Sequence, residues 1–573
     1  MKKIYYKIML MFVAITLSAT LFTGCKDEEL PTATRLFRPV IADDNLVTGL
    51  DADTVPYIRL SWDKYADANQ YVIKVIASDG TDSASVTTDS TGCEFSNLKF
   101  DKEYNVKIHS VNTTTKLESK DYIATIATPD FPTQLVNITT SNIIDTQVRI
   151  IWNTVDGSGN ATVFDSIKVF NTTNDSVVAA VAVTTSELNA GQKIIRKLSE
   201  KTKYRVEAYQ NGKYKGKKLF TTTAAESYDG LVVDLRGLTA EDSYKYFSVG
   251  SGSMYVNTVD SIVKANPNQS ITFVLQGGVT YRLPTLLIPS TTGVIKFVTG
   301  LSLNGLASFA VSGNFAADLN GTIGGISCQK IFFTDAPLES KKRTDANYAG
   351  TYLFNSASTA SGYNVKSLKF TDCTIKYKRG VVRVQTASII DTIAISNCVF
   401  DSIGGYGITN ADNTGAQILN VSVSNSTFSN CDKLFINSKP TAFTVNQFDV
   451  INSTIVYQGT DKSIIFDFSG CKVTNGLNVT NCLFGRTGTT AAGTLLTGVT
   501  GWKGLLSPNF QSCYLTSDYK NVLGTDGVTP TNPIVGTSVT TDTPGTFQAP
   551  ATGNFKVTNK TLITAKAGDP RWY

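Results

Sequence analysis

A short phrase returns five times between residues 368 and 484, and it constrains the fold of this chain more than any other feature. Each copy reads apolar-x-apolar-x-Asp/Asn-Cys/Ser-x-apolar, and the Asp/Asn positions are Asp372, Asn397, Asn425, Asn452 and Asn481. Alternation inside each copy indicates a β-strand, because successive side chains point to opposite faces. A repeat of this length indicates a solenoid. The pattern predicts a right-handed parallel β-helix over residues 225–573, with the Asn and Cys/Ser positions stacked at one corner.

The start of the predicted β-helix has its own pattern. A weaker copy of the phrase begins at Ile331 and has Asp335 at the Asp/Asn position. Upstream, residues 259–267 read as a short amphipathic helix ended by proline, and a strand follows it. This order resembles the start of pectinesterase-like and pectate-lyase-like β-helices. The resemblance implies that the helix caps the open end of the stack.

Two segments before the repeat carry β-sandwich patterns. Each has a Trp at the end of an early strand and a later Leu-x5-Tyr-x-Val motif. The copies contain Trp62 and Tyr104, and Trp152 and Tyr204. They resemble fibronectin type III modules, which places the modules at residues 34–129 and 130–224. The resemblance implies a core Trp and a Tyr that hydrogen-bonds back to the chain. The predicted fold class is therefore all-β, with two sandwiches followed by a parallel β-helix.

The first residues read as a leader. Three lysines precede an apolar run that ends in Thr23-Gly24-Cys25. This ending resembles a bacterial lipobox, which implies that residues 1–24 are a signal peptide and that Cys25 is lipidated. An ordinary secretory signal is the alternative. Residues 25–33 are the predicted tether, and the charged run after Cys25 resembles the export signal of Bacteroidetes surface lipoproteins. The implied location is the outer membrane at the cell surface, through a lipid anchor.

Charge and reactive residues narrow the function. The chain has 52 Lys and Arg against 47 Asp and Glu, and three of these lysines lie in the leader. The remainder is nearly neutral, so nucleic acid is not a predicted partner. The single histidine, His109, lies on a predicted sandwich strand, which leaves Ser-His-Asp and Cys-His catalysis without support. No CxxC or Cys/His cluster occurs, so we predict no metal site. The spacing typical of a disulfide framework is missing among Cys93, Cys328, Cys431, Cys471 and Cys513, so we expect few or no disulfides.

A basic and aromatic segment is the candidate binding site. Alternation puts Lys376 and Lys378 together on the outward face if Tyr377 points the other way. Cations there can pair with uronate carboxylates, and Arg can do so bidentately. Aromatic residues outside the repeat core, Tyr352 among them, can stack on sugar rings. The glycan-binding candidates are Lys376, Tyr377, Lys378, Arg379, Arg383, Tyr406 and Trp502.

The ending Gly568-Asp569-Pro570-Arg571-Trp572 resembles uncharacterised Bacteroidetes surface proteins that accompany pectin degradation. The first hypothesis is a surface lipoprotein that binds a pectic or other acidic polysaccharide for a glycan importer and neighbouring enzymes, without a cofactor. The second is a polysaccharide lyase, which would use Ca²⁺, although no acidic cluster in the sequence resembles a calcium site. The third is an adhesin or structural surface protein. A fold-level analogy alone cannot decide among them.

Overall fold

The computed structural model describes residues 34–573 apart from 53–54, 239, 248–257, 336–349, 357, 359–360, 438–443, 460–463, 470, 490–493 and 505–506. The signal peptide, Cys25 and the tether lie outside the described residues and stay predictions. The chain forms two compact units. One comprises Met1–Thr139, Arg149–Ile195 and Thr202–Thr221, and the other comprises Thr140–Val148, Arg196–Lys201 and Thr222–Tyr573. Within the described part, each helix is too short or too polar to cross a membrane.

The first unit contains two antiparallel β-sandwiches. Their strands are β1 (Leu46–Leu50), β2 (Pro56–Ser61), β3 (Gln70–Ala77), β4 (Ser83–Thr88), β5 (Gly92–Phe95), β6 (Glu103–Asn112), β7 (Leu117–Glu118), β8 (Tyr122–Ala127), β9 (Val148–Ile151), β10 (Ser166–Asn171), β11 (Val177–Ala182), β12 (Gln192–Ile195), β13 (Lys203–Gln210) and β14 (Lys213–Thr221). One helix, α1 (Thr185–Ala190), precedes β12. The sheets are ordered β1-β2-β5 and β4-β3-β6 in the first sandwich, with β7 and β8 both paired to β6, and β12-β9 and β11-β10-β13-β14 in the second.

Both sandwich cores are built around the predicted aromatic residues. Trp62 and Trp152 are buried, and each packs edge-to-face on an aromatic neighbour, Tyr71 or Phe164. Tyr104 is fully buried, and its hydroxyl accepts a hydrogen bond from the backbone N–H of Lys99 at 3.1 Å. This is the predicted corner bond, and the two-sandwich prediction is confirmed.

The second unit is a parallel β-helix. Its strands are β15 (Leu231–Asp234), β16 (Ile271–Leu275), β17 (Thr280–Leu283), β18 (Leu286–Ile288), β19 (Val294–Thr299), β20 (Ala307–Val311), β21 (Phe315–Ala317), β22 (Thr322–Ile323), β23 (Gly325–Gln329), β24 (Ile331–Asp335), β25 (Tyr352–Asn355), β26 (Asn364–Thr371), β27 (Thr374–Lys378), β28 (Gly380–Arg383), β29 (Ile389–Ser396), β30 (Val399–Ile403), β31 (Thr409–Asn410), β32 (Gln417–Ser424), β33 (Thr427–Ser429), β34 (Phe435–Ile436), β35 (Thr444–Val445), β36 (Gln447–Ile451), β37 (Thr454–Val456), β38 (Ile464–Phe468), β39 (Lys472–Val473), β40 (Leu477–Thr480), β41 (Leu483–Phe484), β42 (Thr500–Gly504), β43 (Asn509–Gln511), β44 (Tyr514–Leu515), β45 (Thr537–Ser538), β46 (Phe547–Ala549) and β47 (Asn554–Val557). Its helices are α2 (Ala240–Lys245), α3 (Thr258–Ala265), α4 (Thr543–Thr546) and α5 (Lys560–Ala565). The 3-10 turns among the described residues are Asp43–Asn45, Thr140–Asn142, Pro550–Thr552 and Pro570–Trp572.

Three parallel sheets run the length of the stack. Sheet 1 is β15-β16-β19-β23-β26-β29-β32-β36-β40-β43, sheet 2 is β17-β20-β24-β27-β30-β33-β37-β41-β44-β45, and sheet 3 is β18-β21-β25-β28-β31-β34-β38-β42. The repeated phrase supplies the end of a sheet 1 strand, a corner, and the start of a sheet 2 strand. Its apolar positions line one continuous core, as the sequence predicts.

The Asp/Asn position forms the corner between sheets 1 and 2. Asp372 and the four repeat asparagines have φ angles between 49° and 55°, in the left-handed region. Asn and Asp tolerate this region better than other residues with a side chain. Asn452 donates through Nδ2 to Asn425 Oδ1 at 3.1 Å, and Asn481 donates likewise to Asn452 at 2.9 Å. The predicted Asn ladder is therefore present along these rungs.

The Cys/Ser position forms a second, buried column beside the ladder. Cys398 Sγ bonds the carbonyl two residues earlier at 3.3 Å, and Ser426 Oγ makes the same bond at 2.7 Å. Cys513 occupies this column too, after a left-handed Ser512 that replaces the Asp or Asn of the phrase. This rung lies beyond the five copies of the phrase. The eight cysteines among the described residues are free thiols.

The weak copy at Ile331 was assigned in the wrong register. Lys330, with φ 54°, is the corner residue of that rung, and Ile331–Asp335 is the sheet 2 strand β24. Asp335 is thus displaced from the Asn ladder by one strand length. The two apolar-alternating strands that flank a corner look alike in sequence, which accounts for the error.

The first rungs are closed by an aromatic plug. Phe247, which follows α2, is buried against the stack, and its ring lies 5.6 Å from the rings of Phe273, Phe297 and Phe309. Val263 of α3 is also buried in this core. The helix predicted at residues 259–267 is therefore present as α3, and it covers the end of the stack.

Candidate functional site

A second left-handed corner determines whether the basic side chains point inward or outward. Tyr377, Ser402, Asn430 and Tyr457 have φ angles between 54° and 59°, and each falls at the sheet 2 end of its rung. A left-handed residue turns the chain and interrupts the alternation of a strand. Lys378, directly after Tyr377, therefore enters an inward column whose next members are the core residues Ile403 and Cys431.

The outward position predicted for Lys378 is wrong. Lys378 is fully buried, and its ammonium lies 3.1 Å from Asp335 Oδ1. It also donates to Thr351 Oγ1 at 3.0 Å, and the Thr351 hydroxyl donates to Asp335 Oδ1 at 3.3 Å. A buried ammonium needs such partners, because an uncompensated charge in the interior is strongly unfavourable. Lys378 holds rungs together and is out of reach of a ligand on the surface.

Arg379, Arg383, Tyr352 and Tyr406 form a compact cluster on sheet 3, here called the Arg–Tyr cluster. The Arg379 guanidinium lies 4.7 Å from the Tyr406 ring centre and 5.7 Å from that of Tyr352. Arg383 lies 4.5 Å and 5.5 Å from the same two centres. The two tyrosine rings meet edge-to-face at 5.3 Å. The four side chains come from three successive rungs, so only the stacking of the rungs brings them together.

Gly380 makes the cluster possible. It starts β28 beside Tyr352 and lies between the two tyrosines. A Cβ at this position would stand 2.7 Å from the Tyr406 Cβ and 3.3 Å from the Tyr352 ring. The missing side chain therefore leaves the space in which the rings meet across one strand.

The cluster has unused capacity for hydrogen bonding. Arg383 Nη1 donates to Tyr352 Oη at 3.2 Å, whereas its buried Nε has no hydrogen-bond partner among the described residues. Arg379 is exposed, and the bond from its guanidinium to Tyr406 Oη is long at 3.4 Å. Burial raises the pKa of Tyr352 despite the two nearby cations, so its hydroxyl stays neutral at physiological pH. Stacked guanidinium groups with free donors suit a planar carboxylate.

The remaining candidates lie elsewhere on the solenoid. Lys376 belongs to sheet 2, where its ammonium lies 3.9 Å from Asp401 and 6.0 Å from the Phe332 ring centre. Tyr377 is the half-buried corner residue between sheets 2 and 3. Trp502 is on sheet 3 but belongs to β42, four strands beyond β28, roughly 19 Å away at the usual strand spacing. It packs partly against the core.

Part of the solenoid surface is already covered. Residues 539–573, here called the C-terminal lobe, place Phe547, Phe555 and Leu562 against Val456 and Leu483 of sheet 2. The lobe thus covers the outer side of sheet 2 over these rungs. The Arg–Tyr cluster lies on a different sheet, and its exposed Arg379 is accessible to solvent.

The motif near residue 570 anchors this lobe. Asp569 is buried, accepts from the Thr427 hydroxyl at 2.7 Å and donates through its N–H to Thr454 Oγ1 at 3.0 Å. Arg571 donates to Asp569 Oδ1 at 2.9 Å and to the Cys398 carbonyl at 2.8 Å. The Gly-Asp-Pro-Arg-Trp sequence therefore fastens the lobe across successive rungs.

Comparisons with known proteins assign no activity to the chain. A family model described as Domain of unknown function (DUF5123) matches residues 421–572. No curated protein matches the chain. The matched segment begins in β32 and includes the C-terminal lobe, whereas the Arg–Tyr cluster precedes it.

Three solved structures are similar to parts of the chain. A two-domain fibronectin type III segment of chicken tenascin is 16% identical, covers 32% of this chain and 100% of that chain, and has a TM-score of 0.17. The chicken CNTN1 FN1–FN3 domains are 14% identical, with coverages of 29% and 60% and a TM-score of 0.13. The BSP domain of a biofilm associated protein is 19% identical, with coverages of 33% and 30% and a TM-score of 0.12.

The described residues do not form a recognisable metal-binding site. Among them, no cluster of three or more His, Cys, Asp or Glu side chains could hold an ion. His109 lies 3.0 Å from Asp121 on the first sandwich. The Ca²⁺ that a lyase would use therefore has no residues to which we can assign it, and it stays a prediction.

Proposed function

We propose that the chain is a cell-surface lipoprotein that binds an acidic polysaccharide, with a pectic glycan as the first candidate, at the Arg–Tyr cluster of the β-helix. The observation that carries the proposal is the pair of guanidinium groups stacked on Tyr352 and Tyr406. Tyrosine rings hold the two cations in place, so little side-chain freedom is lost when a ligand binds. A uronate carboxylate can take two N–H donors from one guanidinium.

The position of the cluster supports an extended ligand. Sheet 3 continues beyond Arg383 through β31, β34 and β38 to β42, where Lys503 is exposed. A polysaccharide along this sheet would have a cation at each end of the row. In this proposal the lipid on Cys25 anchors the chain at the outer membrane and the sandwiches act as spacers. The glycan is held for an importer and neighbouring surface enzymes.

The test is calorimetric titration of the purified chain with polygalacturonate, with Ca²⁺ present. Unsaturated products and reducing ends are followed in the same buffer. Loss of one bidentate, charge-assisted contact costs about 1.5–3 kcal/mol, so Arg383→Ala should weaken binding about 10-fold to 100-fold. Arg383→Lys keeps the charge and should recover only part of the affinity, because an ammonium cannot form the planar pair.

Arg282→Ala is the matched control, since Arg282 is an exposed arginine on sheet 2 of the same solenoid. It should leave binding unchanged. Binding without products supports capture of the glycan. Products that disappear in Arg383→Ala would make the protein a lyase, and the absence of both signals would favour the adhesin or structural role.

A further inference from the structure

The junction between the two sandwiches is packed by an aromatic residue of the linker. Phe131 lies 4.8 Å from the ring of Phe100 in the first sandwich and 5.8 Å from the ring of Tyr214 in the second. Both contacts are edge-to-face, an arrangement that favours aromatic pairs. The Thr133 hydroxyl donates to the Lys215 carbonyl at 2.7 Å, beside Gly216, where a Cβ would overlap Thr133. The linker is thus fitted to both modules.

A pair of carboxyl groups sits beside this aromatic contact. Asp101 belongs to the first sandwich and Asp130 to the linker, and their side chains are within hydrogen-bonding reach of each other. The backbone N–H of Asp101 donates to the Pro129 carbonyl at 3.1 Å. The Tyr214 hydroxyl donates to Asp101 Oδ2, and the Lys217 ammonium lies 3.4 Å from Oδ1. Linker, first sandwich and second sandwich therefore meet at the Asp101 side chain, which is only 5% exposed.

We propose that the Asp101–Asp130 pair is a pH-dependent latch at the junction. The pair holds the two sandwiches together when its carboxyl groups share a proton, and the junction loosens when both groups are ionised. Two carboxylates this close repel each other unless one is protonated. Lys217 and the Tyr214 hydroxyl of β14 offset part of that repulsion, and Lys218 acts on Asp130. Lys99 and Lys102 flank Asp101 on its own corner, and Glu207 adds negative charge near Tyr214.

The sign of the pH effect follows from linkage. Burial, followed by the hydrogen bond with Asp130, raises the pKa of Asp101 from 3.8 to about 6. A raised pKa in the closed junction contributes stability that is fully present below the ordinary pKa and lost as pH rises through about 6. If opening returns Asp101 to its ordinary pKa, the open fraction should rise about tenfold between about pH 5 and about pH 8.

Hydrogen exchange of the full chain, followed by mass spectrometry, tests the latch. Uptake in residues 129–136 is measured from about pH 5 to about pH 8 and corrected for intrinsic exchange. The parent should open with a midpoint near pH 6. Asp130→Asn removes the repulsion and the carboxyl hydrogen bond but leaves Asp101 buried, so its midpoint should move to lower pH than that of the parent. Asp89→Asn, in an exposed turn of the first sandwich, should titrate like the parent.

A second variant keeps the proposal falsifiable if Asp130→Asn does not fold. Lys217 lowers the pKa of Asp101, so Lys217→Met should move the midpoint to higher pH. A merely structural role for Lys217 would loosen the junction at every pH and leave the midpoint in place. A parent without a midpoint, an Asp130→Asn variant that titrates like the parent, or an unmoved midpoint in Lys217→Met would overturn the proposal.

Discussion

Replacing Lys378 by methionine tests whether this lysine stabilises the interior or contacts a ligand. Methionine keeps the length of the side chain but removes the ammonium that faces Asp335 and Thr351. Breaking a buried pair from one side costs about 3–5 kcal/mol, because the remaining charge is left in the interior. Each rung of a solenoid contacts mainly its neighbours. The loss should therefore be concentrated around β24 and β27.

The assay is hydrogen exchange of the slowest amides in these strands. A loss of about 3–5 kcal/mol corresponds to exchange roughly 10² to 10⁴ times faster. Lys366→Met is the matched control: Lys366 pairs with Asp391 at 2.9 Å, but its side chain is 54% exposed. An exposed pair contributes about 0–1 kcal/mol, so exchange should change less than about tenfold. Unchanged protection in Lys378→Met, together with lost glycan binding, would refute the buried assignment.

A double substitution separates the charge from the packing. Lys378→Met with Asp335→Leu removes both members of the pair, and such replacements are often neutral or stabilising. We expect the double variant to recover most of the protection that Lys378→Met loses. A double variant as unstable as the single one would mean that the pair is not the source of the loss.

Four further outcomes follow from the geometry. Gly380→Ala places a Cβ against Tyr406, so calorimetry should show weaker glycan binding in a folded chain; full affinity would contradict the cluster. Asn452→Ala removes two side-chain amide hydrogen bonds and strains a left-handed residue, so hydrogen exchange should show a loss of stability of about 2–4 kcal/mol. Asn452→Gly relieves the strain and should lose less stability. Asp569→Asn should lower the stability of the lobe by about 2–3 kcal/mol and expose the rungs beneath it, because the Arg571 contact loses its charge. Unchanged hydrogen exchange in those rungs would contradict the anchoring role of Asp569. Burial raises the pKa of Cys93 to about 12, so alkylation should be slow at neutral pH and rise with pH across the alkaline range.

The repeated phrase was sufficient to predict the stack but not the direction of every side chain. The corner predicted at Asn425 and Asn452 is confirmed, and both residues there adopt the left-handed geometry that Asn accepts. Lys378 was misplaced because the apolar alternation was continued through Tyr377. Tyrosine gives no sequence signal for a left-handed turn, so the pattern predicts strand alternation, with a period of two residues, through this position. The structure places Lys378 beside the core residue Ile403, in the same inward-facing column.

The candidate site was partly predictable for a related reason. Arg379, Arg383 and Tyr406 were selected by charge and aromatic character, and the structure brings these three together. Their contact with Tyr352 depends on which residues of neighbouring rungs lie side by side, and no local pattern specifies that register. Trp502 fitted the same criteria of composition but lies four strands away.

In four successive rungs, two left-handed corners keep one part of the rung at constant length while the rest varies. The second corner follows the first by the same interval in these rungs, from Asp372 to Tyr377 and from Asn452 to Tyr457. The connection from sheet 2 to sheet 3 is a single residue after β27, but it spans residues 336–351 after β24. From β24 to β37, differences in length therefore fall mainly in the turns that border sheet 3, whereas an earlier rung also has a longer connection, residues 300–306, between sheets 1 and 2. The surface of sheet 3 can diversify through the turns that border it, as an antibody does through its loops, while the stack beneath keeps its register.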